Sequence, residues 1–118
     1  VRPTVRVFIA SLALLAAACG SGQERSAQDL CPNPVPATEV QMVDFAYAPT
    51  CVEARPGTTL SVRNDGQAPH TFTVVGTDVD ANVAAGQSER VDLSGIAPGT
   101  YEVICTYHPQ MVAALRVA

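Results

Sequence analysis

The sequence predicts an all-β fold, a sandwich or barrel of about seven or eight short strands. Three observations predict it. Turn-forming clusters recur roughly every 8–12 residues, the spacing of short antiparallel strands. Several of the intervening stretches alternate apolar and polar side chains with a period of two. Beyond the first eighteen residues no stretch keeps a helical 3.6-residue period. Composition agrees: the 118 residues are 47% hydrophobic but only 5% aromatic, with no Trp, so the apolar content rests on smaller residues such as Val and Ala. The length suits one domain. Seven Arg, no Lys and eleven acids give a net charge of −4. An acidic chain without a basic run is a poor nucleic-acid binder.

Residues 1–18 have the anatomy of an export signal. Arg2 and Arg6 precede the run from Val7 to Ala18, interrupted only by Ser11. The run is too short for a membrane span of about 20 residues and fits a signal-peptide core. It ends Leu14-Leu15-Ala16-Ala17-Ala18-Cys19-Gly20, which resembles a bacterial lipobox with Cys19 as the lipidated residue, although Ala16 stands where Leu is more usual. Ala16 and Ala18 also satisfy an ordinary small-x-small cleavage site, so a secreted protein with a spare thiol is the alternative. Cleavage removes Arg2 and Arg6 and leaves five Arg against eleven acids, a net −6. Residues 19–37 read as a tether, first rich in Gly, Ser and Gln, then stiffened by Pro32, Pro34 and Pro36. The domain is expected over residues 38–118, small enough to need extra stabilisation.

Within it, Val40 to Phe45 is the first predicted strand, with Val40, Met42 and Asp44 on one side and Gln41, Val43 and Phe45 on the other. Tyr47-Ala48-Pro49 breaks the pattern. Cys51 to Ala54 is short and runs into the turn Arg55-Pro56-Gly57. Thr58 to Arg63 alternates with Leu60 and Val62 inward, then turns at Asn64-Asp65-Gly66. His70 to Val75 places Phe72 and Val74 on one face. Val83 to Gly86 leads into Gln87 to Leu93, where Val91 and Leu93 alternate with polar and charged residues. After Ala97-Pro98-Gly99, Thr100 to Cys105 puts Tyr101, Val103 and Cys105 on one face, and Val112 to Val117 is the last strand. Met42, Phe45, Phe72 and Tyr101 are expected in the core, and Asp78 and Asp80 on a solvated loop.

The chemistry concentrates near the C-terminus. Cys105-Thr106-Tyr107-His108-Pro109-Gln110-Met111 carries thiolate, imidazole and thioether with the spacing Cys-x2-His-x2-Met. The only other histidine, His70, opens a predicted strand. Two His and a Cys in a plane with a weak axial Met form the ligand set of a mononuclear copper electron-transfer site. Thiolate and thioether favour Cu(I), and imidazole suits both oxidation states. Two histidines are too few for a copper nitrite reductase or a multicopper oxidase, so an enzyme is not expected.

These residues resemble the cupredoxin, or blue copper, family over roughly residues 40–118. Phe45-Ala46-Tyr47-Ala48-Pro49 is similar to the family's aromatic-x-Pro turn. Pro56-Gly57-Thr58 through Asn64 is similar to its Gly-rich turn and following strand, Pro69-His70-Thr71-Phe72 to the first-ligand segment, and Pro98-Gly99-Thr100-Tyr101 to the turn before the cysteine strand. The ligand loop is most similar to that of amicyanins, departing at Tyr107, where they have Pro. The resemblance implies a Greek-key β-sandwich with one type 1 copper held by His70, Cys105, His108 and Met111. It implies that Thr71 and Thr106 tie the ligand segments together and present a backbone N–H to the sulfur. Pro109, lacking an N–H, adds no second such bond.

With Cys19 assigned to lipid and Cys105 to copper, Cys31 and Cys51 are left as a disulfide pair, the alternative being two free thiols. A bridge of this span stabilises by about 3 kcal/mol in the entropic account. The expected function is single-electron transfer outside the cytoplasm, by a monomer lipid-anchored on the periplasmic side or the outer face of the cell membrane, or alternatively soluble. Redox proteins would dock transiently on an uncharged patch of Ala68, Pro69, Pro98, Pro109 and Gln110 around His108. Copper storage or delivery is the first alternative, weakened by the absence of a Met- or His-rich tract. A redox-silent docking module is the second, weakened by the intact ligand set.

Overall fold

A computed structural model describes residues 26–118. The export signal expected over residues 1–18, Cys19 and the first part of the tether lie outside the described residues. Among the described residues there is no helix, and ten strands form two facing sheets. They are β1 (Val35–Pro36), β2 (Glu39–Val43), β3 (Ala46–Ala48), β4 (Cys51–Ala54), β5 (Thr59–Asn64), β6 (His70–Val74), β7 (Asp80–Val83), β8 (Ser88–Asp92), β9 (Gly99–Cys105) and β10 (His108–Val117). One sheet has the order β1-β4-β10-β9-β6-β7 and the other β3-β2-β5-β8. Both are mixed: β4 lies parallel to β1 and β10, and β2 parallel to β5.

The all-β sandwich is therefore as the sequence predicts, with more strands than the seven or eight expected. The additions are β1, of two residues, and β3, of three, each too short to show a period, and β7. β7 has the composition Asp-Ala-Asn-Val, poor in strand formers, and pairing with β6 makes it a strand.

The period-two pattern builds the core. Val40 and Met42 of β2, Leu60 and Val62 of β5, and Val91 of β8 with Leu93 just beyond it point inward from the smaller sheet. Val52, Phe72, Val74, Val103 and Leu115 answer from the larger one. Each such side chain contributes about 1.5–3 kcal/mol when fully buried. Without Trp, the aromatic share of this core is Phe72 packed edge-on against Tyr47, ring centroids 6.1 Å apart. Met42 and Phe72 are core residues as expected, and Tyr101 packs half-buried at the margin, its hydroxyl donating to the Ala97 carbonyl. Phe45 is a correction. It is 48% exposed and lies over the histidines rather than in the core, because the chain turns between β2 and β3 and carries it to the surface. Asp78 and Asp80 are exposed, Asp80 accepting a hydrogen bond from Thr73.

Cys31 and Cys51 form a disulfide. It fastens the segment before β1 to the first residue of β4, and β1 then pairs with β4 through Val35 and Pro36.

Candidate metal centre

Three strands deliver the ligand-type side chains to one end of the sandwich. β9 ends at Cys105, a two-residue turn of Thr106 and Tyr107 follows, and β10 begins at His108, paired directly with Cys105. Directly opposed residues of an antiparallel pair share a face, so the Cys-x2-His spacing is the length of a tight hairpin. The register then shifts, and pairing resumes at Val112 opposite Ile104. Pro109, with no N–H to give the ladder, lies in this irregular stretch. The resumed register sets Met111 level with Cys105 again. A three-residue slip thus brings His108 and Met111 in turn opposite the same cysteine, and Met111 is fully buried. On the other side of β9, antiparallel β6 starts at His70 beside the end where β9 finishes.

The result is a compact donor cluster. The ligand atoms of His70, Cys105 and His108 all lie within 4.8 Å of one another. Cys105 Sγ is 3.8 Å from His70 Nδ1 and 3.5 Å from His108 Nδ1. His70 and Cys105 are buried, whereas His108 is partly exposed. These are two imidazole nitrogens and a sulfur converging on one point, with a buried thioether on the adjoining strand. Such a donor set fits one soft, redox-active ion of the copper type.

Thr71 braces the sulfur and the hairpin together. Its N–H points at Cys105 Sγ over 3.4 Å, and its hydroxyl accepts the Thr106 N–H at 2.9 Å. Its carbonyl accepts a hydrogen bond from the buried Tyr47 hydroxyl at 2.6 Å. Burial, with the charge of Cys105 adding, pushes the Tyr47 phenol far above its ordinary range. Asn64, wholly buried at the end of β5, donates to the carbonyls of Ala68 and Val83 and accepts the Gly66 N–H, each at 2.9 Å. It holds the loop leading into His70.

Sequence reasoning missed two neighbours. Asp44 accepts from His70 Nε2 at 2.7 Å, from Gln67 N–H at 2.8 Å and from Ala68 N–H at 3.2 Å. The Gln67 N–H, with His70 and Ala68 adding, holds its carboxyl below the usual range. The available signal was the alternation of the first strand, which sets Asp44 on the same side as the buried Val40 and Met42. Phe45 is the second. Its ring centroid lies 4.6 Å from that of His108 and 6.0 Å from that of His70. Tyr107, also half exposed, stands edge-on to His108 and accepts a hydrogen bond from Asn82.

The expected surface patch needs one correction. Pro98 precedes β9, whereas Cys105 ends it. Seven residues at about 3.3 Å each place Pro98 at the opposite end of the sandwich from His108. Pro69, Pro109 and Gln110 are exposed and adjoin His70 or His108 in the chain, and Ala68 is half-buried.

A family model described as the cupredoxin-like domain matches residues 8–117. A methylamine utilization protein, MauL, of Methylophilus methylotrophus is 27% identical over 110 residues, covering 90% of this chain and 63% of that protein. The chain thus spans less than two thirds of that relative's length. Among solved structures, a purple cupredoxin from Nitrosopumilus maritimus superposes with a TM-score of 0.59 at 19% identity, over 70% of this chain and all of that one. A reduced Cu(I) form of an amicyanin variant gives 0.60 at 22% identity, over 70% of this chain and 82% of that one. A copper-containing nitrite reductase from Thermus scotoductus gives 0.60 at 26% identity, over 73% of this chain but only 23% of that enzyme.

Proposed function

The chain belongs to the cupredoxin-like family, and from that premise we propose that it is a single-electron carrier built on one type 1 copper. His70 and His108 would hold the ion through Nδ1, Cys105 through Sγ and Met111 through its thioether as a weaker donor. The observation that carries this reading is the convergence of two imidazole nitrogens on a buried thiol sulfur, all within 4.8 Å. Copper bound there would supply a one-electron couple between Cu(II) and Cu(I).

The protein's part is to hold the donors still and dry. His70 and Met111 are fully buried and Cys105 nearly so. All three strands that supply them, β6, β9 and β10, are paired with a neighbour on each side. Donors fixed this way have little to rearrange when the charge at their centre changes by one. The Thr71 N–H draws electron density from the sulfur. His108 alone reaches toward solvent, so its ring is the route by which an electron enters and leaves. Around it Phe45, Tyr107, Pro109 and Gln110 are exposed and uncharged, a surface suited to brief encounters with redox proteins over small interfaces. The net charge of −6 after export favours a basic donor or acceptor at low ionic strength.

The same reading places the protein outside the cytoplasm, with residues 1–18 as an export signal, Cys19 as a lipid anchor and residues 19–37 as the tether of a domain over 38–118. The Cys31–Cys51 disulfide supports an oxidising compartment.

The test is to load the protein with Cu(II). An intense thiolate-to-copper absorption band that ascorbate bleaches reversibly is expected, and Cys105→Ser abolishes it while leaving the far-UV spectrum intact. A pale protein that readily gives up its copper would instead indicate storage or delivery. A protein that takes up no copper would leave only a docking module.

A further inference from the structure

We propose that Asp44 is a positioning residue for His70, fixing the ring with Nε2–H toward the carboxylate and Nδ1 toward Cys105, and that its charge favours the oxidised over the reduced copper. The second half rests on the copper reading above; the first does not.

The geometry carries the argument. The Nε2 nitrogen of His70 is fully buried and has one polar partner, Asp44 Oδ1 at 2.7 Å. An ionised carboxylate only accepts, so Nε2 must be the protonated nitrogen. Nδ1 is then left with its lone pair, and it is the nitrogen that faces Cys105 Sγ. The carboxylate is itself held against rotation by the N–H groups of Gln67 and Ala68. The backbone closes over it as well. A Cβ on Gly66 would stand 2.2 Å from Asp44 Oδ1, so any larger residue there must displace the carboxylate. Asp44 therefore links the end of β2 in one sheet to the loop that feeds β6 in the other, and the link passes through the ligand ring.

The partner is a carboxylate rather than a carbonyl, which gives the inference its electronic half. A full negative charge on the far nitrogen raises the basicity of the near one. A more basic donor helps Cu(II) more than Cu(I), so the charge lowers the reduction potential.

Asp44→Asn tests this, because the amide oxygen can still accept a backbone N–H while the charge is gone. Gly66→Ala is the companion, keeping the charge but displacing the carboxylate. On the copper-free protein, nitrogen-15 NMR at about pH 8, above the ~6.5 of free imidazole, reads the tautomer directly. Wild type should show His70 almost wholly protonated at Nε2, and both variants a mixture. His70 protonated at Nδ1 in wild type, or an unchanged ratio in both variants, overturns the positioning role.

On the copper-loaded protein, Asp44→Asn should weaken Cu(II) binding by roughly 10- to 100-fold and Cu(I) binding much less. Each tenfold difference raises the midpoint potential by about 59 mV for one electron. Equal losses for the two oxidation states, with the potential unmoved, overturn the electronic role and reduce Asp44 to packing. Failure of wild type to bind copper would overturn the proposed function, and with it the electronic half, while the metal-free measurement still decides the positioning.

Discussion

Asn64 is the only fully buried polar side chain among the described residues that lies outside the ligand segments, which makes Asn64→Ala an informative perturbation. Its amide satisfies three backbone groups: the carbonyls of Ala68 and Val83 and the N–H of Gly66. The bond to Val83 is buried, and losing it costs about 1–3 kcal/mol. The other two are part-buried and cost about 0.5–1 kcal/mol each, because water can replace the amide. The sum is about 3 kcal/mol, which for a domain of this size lowers the melting temperature by roughly 12–24 °C. Guanidinium unfolding of the copper-free protein, followed by far-UV circular dichroism, measures it, with a shifted midpoint and an unchanged slope. A loss below about 1 kcal/mol would refute the reasoning. The loop from Asp65 to Pro69 would then be held by its own backbone and by Asp44, with Asn64 a passenger.

Replacing Cys31 and Cys51 together with Ser should lower stability by about 3 kcal/mol in the entropic account, measured by the same unfolding curves, with no change in the copper spectrum. Tyr47→Phe leaves the buried Thr71 carbonyl without its hydroxyl partner and should cost about 1–3 kcal/mol at neutral pH. Because burial raises the Tyr47 phenol above its unfolded value of about 10, its contribution is fully present below that pH and is lost as pH rises beyond it. Wild type should thus lose stability in alkali more steeply than Tyr47→Phe in a pH-resolved melt, and parallel profiles would count against the buried-phenol argument. Asp65 is lowered first by its hydrogen bond from Gln41 and then by Arg63. The stabilisation it gives is present above about pH 3.9 and is lost as pH falls through the lower folded value. Asp65→Asn should flatten the acid limb of the stability profile, and an unchanged limb would show that this exposed cluster contributes nothing.

Local features were the legible ones. Cys105, His108 and Met111 share one hairpin, so their spacing could be read directly, and His70 was left as the only remaining imidazole. The β5 stretch, with Leu60 and Val62 inward between polar neighbours, announced itself by alternation. What escaped depends on contacts far apart in sequence. Asp44 meets His70 across 26 residues and two sheets; its side of the first strand was visible, but its partner was not. β10 begins four residues before the predicted Val112, because Pro109 reads as a break and only the opposite strand shows that pairing starts at His108. Phe45 looks like core by composition and becomes a cover over two histidines because of where the turn after β2 faces. Pro98 was placed by its residue type, and the length of β9 moved it to the far end.

The disulfide has a mechanical consequence. The short β1, exposed at both residues, could easily peel from β4 under tension from the N-terminal side. The Cys31–Cys51 link transfers such a pull to the start of β4. From there it runs into a parallel ladder of four residue pairs with β10, Cys51 to Ala54 against Ala114 to Val117. These bonds resist together in shear, whereas those of a peeling strand break one after another. A pull from the N-terminal side is therefore borne at a point six residues along β10 from His108, and the hairpin that holds the cysteine and the histidine in line is spared the load.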